Sequence, residues 1–214
     1  MVKMIRRAVV GLFVLMPMAA CAHGPLHTRG MDAVEVPAVE LNTDAGSIML
    51  FLDPHRAPIT TCNFLSYVVS GDYDGGSFFR TVVRATNTGN PNPIDVIQAA
   101  TPRGSDDASR PPIPLERTRD TGLSHRAGTI SMARDGPDSA TSSFFIVTED
   151  SFSLDYGGAR NPDGQGFAAF GSVAGNLDVI RRIQMSPANG EEQLTPPVVI
   201  QSAKLFGDIH KWCP

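Results

Sequence analysis

Three cysteines, one tryptophan and an aromatic share of 7% are a sparse endowment for 214 residues. So few cysteines exclude a fold stapled together by a disulfide framework, and no Cys/His grouping has metal-ligand spacing. Internal repeats are absent, which excludes solenoids and propellers. The apolar run from Ala8 to Met18 is too short to cross a bilayer as a helix, and no other segment approaches that length. Cations are scarce too: 18 Lys and Arg face 22 Asp and Glu, for a net charge of −4. A chain of that sign is not expected to bind nucleic acid through phosphate contacts. What remains is a 42% hydrophobic share, enough for one good core in one domain or at most two.

The first 22 residues read differently from the rest. Lys3, Arg6 and Arg7 form a basic start, Ala8 to Met18 an apolar stretch, and Ala20-Cys21-Ala22 a small-residue site. That is the pattern of a secretory signal peptide. Met18-Ala19-Ala20-Cys21 also resembles a lipoprotein box in which the Cys21 thiol takes a lipid; cleavage after Ala22 is the alternative. Loss of this segment removes three cations and takes the net charge from −4 to −7. Export to the periplasm is expected, with a membrane link only through a lipid on Cys21. Residues 23–37, with Gly24, Pro25, Gly30 and Pro37, read as a linker, in which His23 and His27 are isolated and solvated. The folded domain is expected over 38–206, with a tail at 207–214. Cys62 and Cys213 can pair in an oxidising compartment, but a buried free thiol at a helix position plus a tail cysteine is the favoured reading.

Along the domain the pattern is mostly β. Val39 to Asn42 and Gly46 to Asp53 form a hairpin, and Ser77 to Val83, Ile94 to Ala100, Gly128 to Ala133, Phe144 to Val147, Phe167 to Ala174 and Val198 to Leu205 read as further strands. Ala57 to Ser70 is a helix: Pro58 suits its first turn, Ile59, Cys62, Leu65 and Val68 recur at helical spacing, and Gly71 ends it. A second helix runs from Leu177 to Gln184, capped by Asn176. Residues 84–93, 101–124 and 156–166 are loops, and Ser151 to Asp155 is a single turn. Short strands with only two helices argue an antiparallel barrel capped at both ends.

One stretch organises the chain. Gly128 to Ala133 alternates polar with apolar as a half-buried strand does; Arg134 to Ser143 has loop composition; Phe144-Phe145-Ile146-Val147 resumes as a strand. On pattern alone both Phe rings read as core. Together with Asn63-Phe64-Leu65 and Phe79-Arg80 before it and Phe167-Ala168-Ala169-Phe170-Gly171 after it, this stretch resembles the cyclophilins, the peptidyl-prolyl cis-trans isomerases, over about residues 45–205. The resemblance implies a closed, eight-stranded antiparallel barrel with two capping helices. It also implies a monomer that needs no cofactor or metal and acts on proline-containing segments, here of unfolded or newly exported envelope proteins.

The chemistry so implied requires little. Rotation about a peptide bond meets a barrier of about 18–20 kcal/mol because twisting breaks C–N resonance. The twisted state leaves a lone pair on the prolyl nitrogen, and a guanidinium aimed at it favours that state. By match to the family, Arg80 is that donor, although an arginine on a strand otherwise reads as a solvated face. The same resemblance implies that Gln98 holds the neighbouring carbonyl, that Phe145 is the floor for the proline ring, and that Val96, Leu154 and Phe167 surround it. Met132, Ala133 and Arg134 lie alongside. Phe79 stands where the family has His, Asp95-Val96 where it has Phe-Met, Arg134 where it has Asn, and Ser153 where Trp or Phe is common. A shallower pocket, an extra charge from Asp95 and either slower turnover or an altered preference for the residue before proline are expected, without loss of function. Two other classes are open: a proline-peptide-binding module or holdase with little isomerase activity, and a hydrolase using Ser139, Ser142 or Ser143 with His125. No Gly-x-Ser-x-Gly elbow supports the hydrolase.

Overall fold

Alternation of inward apolar residues sets the first strands. In the computed structural model, which describes residues 36–87, 89–105, 107, 109–175 and 177–213, β1 (Ala38–Thr43) and β2 (Gly46–Leu52) form the hairpin, with Val39, Leu41, Ile48 and Leu50 buried. Then follow α1 (Pro58–Val69), β3 (Ser77–Val82), β4 (Val96–Ala100), α2 (Thr118–Thr121), β5 (Thr129–Met132), β6 (Phe144–Val147), β7 (Ala168–Val173), α3 (Asp178–Gln184) and β8 (Gln193–Phe206). The strands close in the order β1-β2-β7-β5-β6-β4-β3-β8, and every ladder is antiparallel. Closure leaves no unpaired edge. The fold class read from the sequence is the one observed: a closed eight-stranded antiparallel barrel with few helices.

Helix α1 contributes Phe64, Leu65, Tyr67 and Val68 to the core. Phe64 sits within 5.2–5.3 Å, ring to ring, of Tyr73, Phe144 and Phe170. Ala57 at its N-cap has no side-chain acceptor; instead the Glu116 carboxylate accepts the N–H groups of Ile59 and Thr60 at 3.1 and 2.8 Å. The anion at the helix start is therefore supplied by the long loop, which Glu116 ties to α1.

Four expectations need correction. Cys62 and Cys213 are joined in a disulfide, with Cα atoms 5.5 Å apart. The short 3-10 turn Ile209–Lys211, which the sequence pattern does not announce, folds the tail back so that Cys213 meets α1. Strand β8 begins at Gln193 rather than Val198, carrying Pro196 and Pro197 inside it. Helix α2, only one turn long, lies where the sequence pattern gives loop. The N-cap of α3 is Leu177; Asn176 lies outside the described residues, as do Cys21 and the whole leader.

β5, expected to be half-buried, is buried on both faces, and so is β6. Inward, Phe144 and Ile146 join the barrel core; outward, Phe145 and Val147 join a second apolar cluster with Val82, Ile94, Val96 and Leu154, flanked by Ala133 and Phe167. An apolar patch on the outer wall of a barrel needs a cover or a ligand. Here loops cover part of it and leave a cleft.

Candidate active site

Strand register lines up the site. Arg80 pairs with Gln98, Gln98 with Phe145, and Phe145 with Ser131, so one row of side chains crosses β3, β4, β6 and β5 on the outer face. A bulge between Phe78 and Arg80 sets this up: Phe78 remains in the core, and the extra residue re-aims the next side chain outward. The cleft beside the row measures about 470 Å³ and is lined by Arg80, Ile94, Val96, Gln98, Phe145 and Phe167, among others. Ala133, Arg134 and Leu154 also line it.

Met132 does not. It pairs with Phe144 and packs inside the barrel, because strand parity turns it the opposite way from Ser131 and Ala133. Asp95 is corrected by the same parity. Val96 and Gln98 share the outer row, while the Asp95 carboxylate accepts the Arg84 backbone N–H at 2.8 Å and pairs with the Arg84 guanidinium at 3.2 Å. The expected extra charge is therefore absent from the cleft lining, and Ile94 supplies apolar wall in its place.

The floor is braced from below. The Phe145 ring stacks on His125 at 5.9 Å and 16°, and meets the edge of Phe167 at 5.5 Å. His125 is fully buried, its Nδ1 2.6 Å from Asp155 and its Nε2 3.0 Å from Ser131. Burial opposes the charged form of Asp155, but hydrogen bonds from His125 and Ser124 outweigh it and lower its pKa below the ordinary carboxylate value. With both ring nitrogens engaged and the imidazole sealed beneath Phe145, His125 is not placed to activate Ser139, Ser142 or Ser143. The hydrolase arrangement is not formed.

Phe167 is braced from above. The Arg134 guanidinium lies 4.9 Å over its ring, bonds to the Gly166 carbonyl at 2.6 and 2.8 Å and forks onto Asp163 at 2.7 and 3.0 Å. The pairing with Arg134, against a small desolvation cost, lowers the pKa of Asp163. Gly166 is required here: its φ is +67°, and a Cβ would stand 2.6 Å from the backbone of Asp155 and Tyr156. The 156–166 loop is tied to the 84–93 loop by Asn92 Nδ2 to the Ala159 carbonyl and Arg160 to the Asn92 carbonyl.

At the other end of the row, Gln98 accepts from Arg80 Nη1 at 3.2 Å and donates to Ser143 Oγ at 3.1 Å. Both ends of its amide are used within the protein, so it orients Arg80 as well as facing the cleft. Three polar residues at this end had no sequence signal. Glu192 bonds to Arg80, Asn87 bonds to Glu192, and Arg160 lines the cleft. Burial and then the nearby Arg80 charge draw the Arg160 pKa below its ordinary value, with Glu192 acting the other way. Each comes from a loop or strand end brought in by tertiary closure. Among the described residues no cluster of His, Cys, Asp or Glu could hold a metal ion, and no helix is long and apolar enough to cross a membrane.

Comparison with known proteins gives the family. The family model for cyclophilin type peptidyl-prolyl cis-trans isomerases matches residues 38–205. A peptidyl-prolyl cis-trans isomerase of Streptomyces antibioticus is 37% identical over 174 residues, covering 79% of this chain and 98% of that protein. Peptidyl-prolyl cis-trans isomerase A of Dickeya dadantii is 41% identical over 173 residues, covering 78% and 84%. Among solved structures, a Cryptosporidium parvum cyclophilin superposes with a TM-score of 0.66 at 19% identity, over 81% of this chain and 99% of that one, a likeness of fold. The chain belongs to the cyclophilin-type peptidyl-prolyl cis-trans isomerases.

Proposed function

We propose that this isomerase turns X-Pro bonds on the outer face of β3, β4 and β6, with Arg80 as the catalytic donor and Phe145 as the floor under the proline ring. The row Arg80–Gln98–Phe145 carries the reading, since it places a cation and an apolar surface side by side on one wall. A proline ring bound against Phe145, Val96, Leu154 and Phe167 buries apolar surface in either isomer, which provides binding. The guanidinium contributes only once the amide twists and the prolyl nitrogen gains its lone pair, which provides rate. The apolar cluster excludes water and strengthens that contact. Ala133 and the Arg134 backbone flank the bound peptide.

Clients are proline-containing segments of unfolded or newly exported envelope proteins, met in the periplasm by a monomer. The signal-like first 22 residues support export, and the Cys62–Cys213 bridge fits an oxidising compartment. Lipid on Cys21 would hold the enzyme at the membrane.

A protease-coupled assay on Xaa-Pro peptides tests the activity. The uncatalysed phase lasts tens of seconds at 25 °C, and substoichiometric protein is expected to shorten it in proportion to its concentration. Peptide binding with an unchanged phase would favour the binding-module or holdase alternative.

A further inference from the structure

Glu192 occupies a backbone conformation that L-residues rarely adopt, with φ at +64°. Both of its carboxylate oxygens are engaged: Oε2 accepts from Arg80 Nη2 at 2.6 Å and from Arg80 Nε at 3.1 Å, while Oε1 accepts from Asn87 Nδ2 at 2.6 Å. Its backbone is fixed independently. The carbonyl accepts from Thr81 N–H at 2.9 Å, and its own N–H donates to the Asn189 carbonyl at 3.1 Å.

We propose that Glu192 is a positioning residue for catalysis, holding the Arg80 guanidinium in the plane and at the angle at which it meets the twisted amide. The assignment rests on the reading of Arg80 given above. Glu192 takes the Nε–Nη2 edge and Gln98 takes one N–H of Nη1, so the fork is held from two sides. Of five guanidinium N–H groups, two are then left for a ligand, one on each terminal nitrogen. An arginine held by one partner swings on a flexible stem; one held on two edges is preorganised. Asn87 in turn fixes the carboxylate. Backbone strain at a residue whose side chain reaches the reacting centre is the pattern expected when geometry at a site is kept at the expense of local stability.

Glu192→Gly separates the two roles this residue could have. Glycine accepts a positive φ, so the backbone is relieved while the carboxylate is lost. The expected result is an unchanged or raised Tm, a kcat lower by about 5- to 50-fold and a KM within about twofold, because misplacement of a catalytic group acts on the rate and leaves the apolar floor intact. Glu192→Gln keeps an acceptor oxygen and should recover most of kcat. In a chain already carrying Arg80→Ala, adding Glu192→Gly should cost nothing further.

Glu192→Gly with wild-type or higher kcat would overturn the proposal, as would a Gln variant as slow as the Gly variant. So would losses of kcat that follow Tm across the set. Full activity in Arg80→Ala alone would remove both this role and the reading of Arg80. A slow Arg80→Ala beside a fully active Glu192→Gly would remove the positioning role alone.

Discussion

Arg80→Ala is expected to lower kcat/KM for a proline peptide by more than tenfold, almost entirely through kcat, with the fold intact. A charge-assisted hydrogen bond made only in the transition state contributes about 1.5–4 kcal/mol, or roughly 10- to 1000-fold in rate. KM should change little, since binding is assigned to Phe145, Val96, Leu154 and Phe167. Stability should change little as well. The Arg80 side chain is 34% exposed and its partner Glu192 25% exposed, so water can reach the orphaned carboxylate, and a pair this open contributes about 0–1 kcal/mol. Arg80→Lys should recover only part of the rate, because an ammonium keeps the charge but not the planar fork held by Glu192 and Gln98. Steady-state kinetics together with a melting curve separate these expectations. Equal kcat in wild type and Arg80→Ala would remove the guanidinium from the mechanism.

Removing the Cys62–Cys213 bridge, by Cys→Ser at both positions or by reductant, is expected to be the largest stability change available without touching the core. The bridge closes a sequence separation of 151 residues. Chain entropy for a loop that long sets a ceiling of about 5 kcal/mol, and native disulfides typically contribute about 2–4 kcal/mol. For a domain of this size that corresponds to a Tm lower by about 5–15 °C. Activity at 25 °C should persist, because the cleft is lined from β3, β4, β6, the segment between Ala133 and Ser143, Leu154, Arg160 and Phe167, and no described residue of α1 or the tail lines it. A Tm unchanged once the bridge is reduced or replaced would show that the bridge itself adds nothing to the domain's stability.

Local signals made much of the barrel legible. Helix α1 announces itself through Pro58 and its apolar spacing, and it spans Pro58–Val69, one residue inside each expected end. The β1–β2 hairpin is equally clear. Strand β8 is not, since Pro196 and Pro197 read as its outer limit, although they lie within it. The disulfide depends on where one 3-10 turn leaves the tail.

For the site, no local pattern marks Arg80, Gln98 or Phe145 as functional, and only the resemblance to the family singles them out. Parity within a strand could have done more. Ser131 and Ala133 must face away from Met132, and Val96 and Gln98 away from Asp95, which would have placed Met132 inside and kept Asp95 out of the cleft. Glu192 was beyond any local rule. It meets Arg80 across 112 residues, only because β8 closes onto β3.

The most direct measurement is the structure of the protein bound to a short Xaa-Pro peptide. The proline ring should rest on Phe145 between Val96, Leu154 and Phe167, with the Arg80 guanidinium within hydrogen-bond reach of the prolyl nitrogen and still held by Glu192 and Gln98. A proline ring seated elsewhere, or an Arg80 turned away from the prolyl nitrogen, would contradict it.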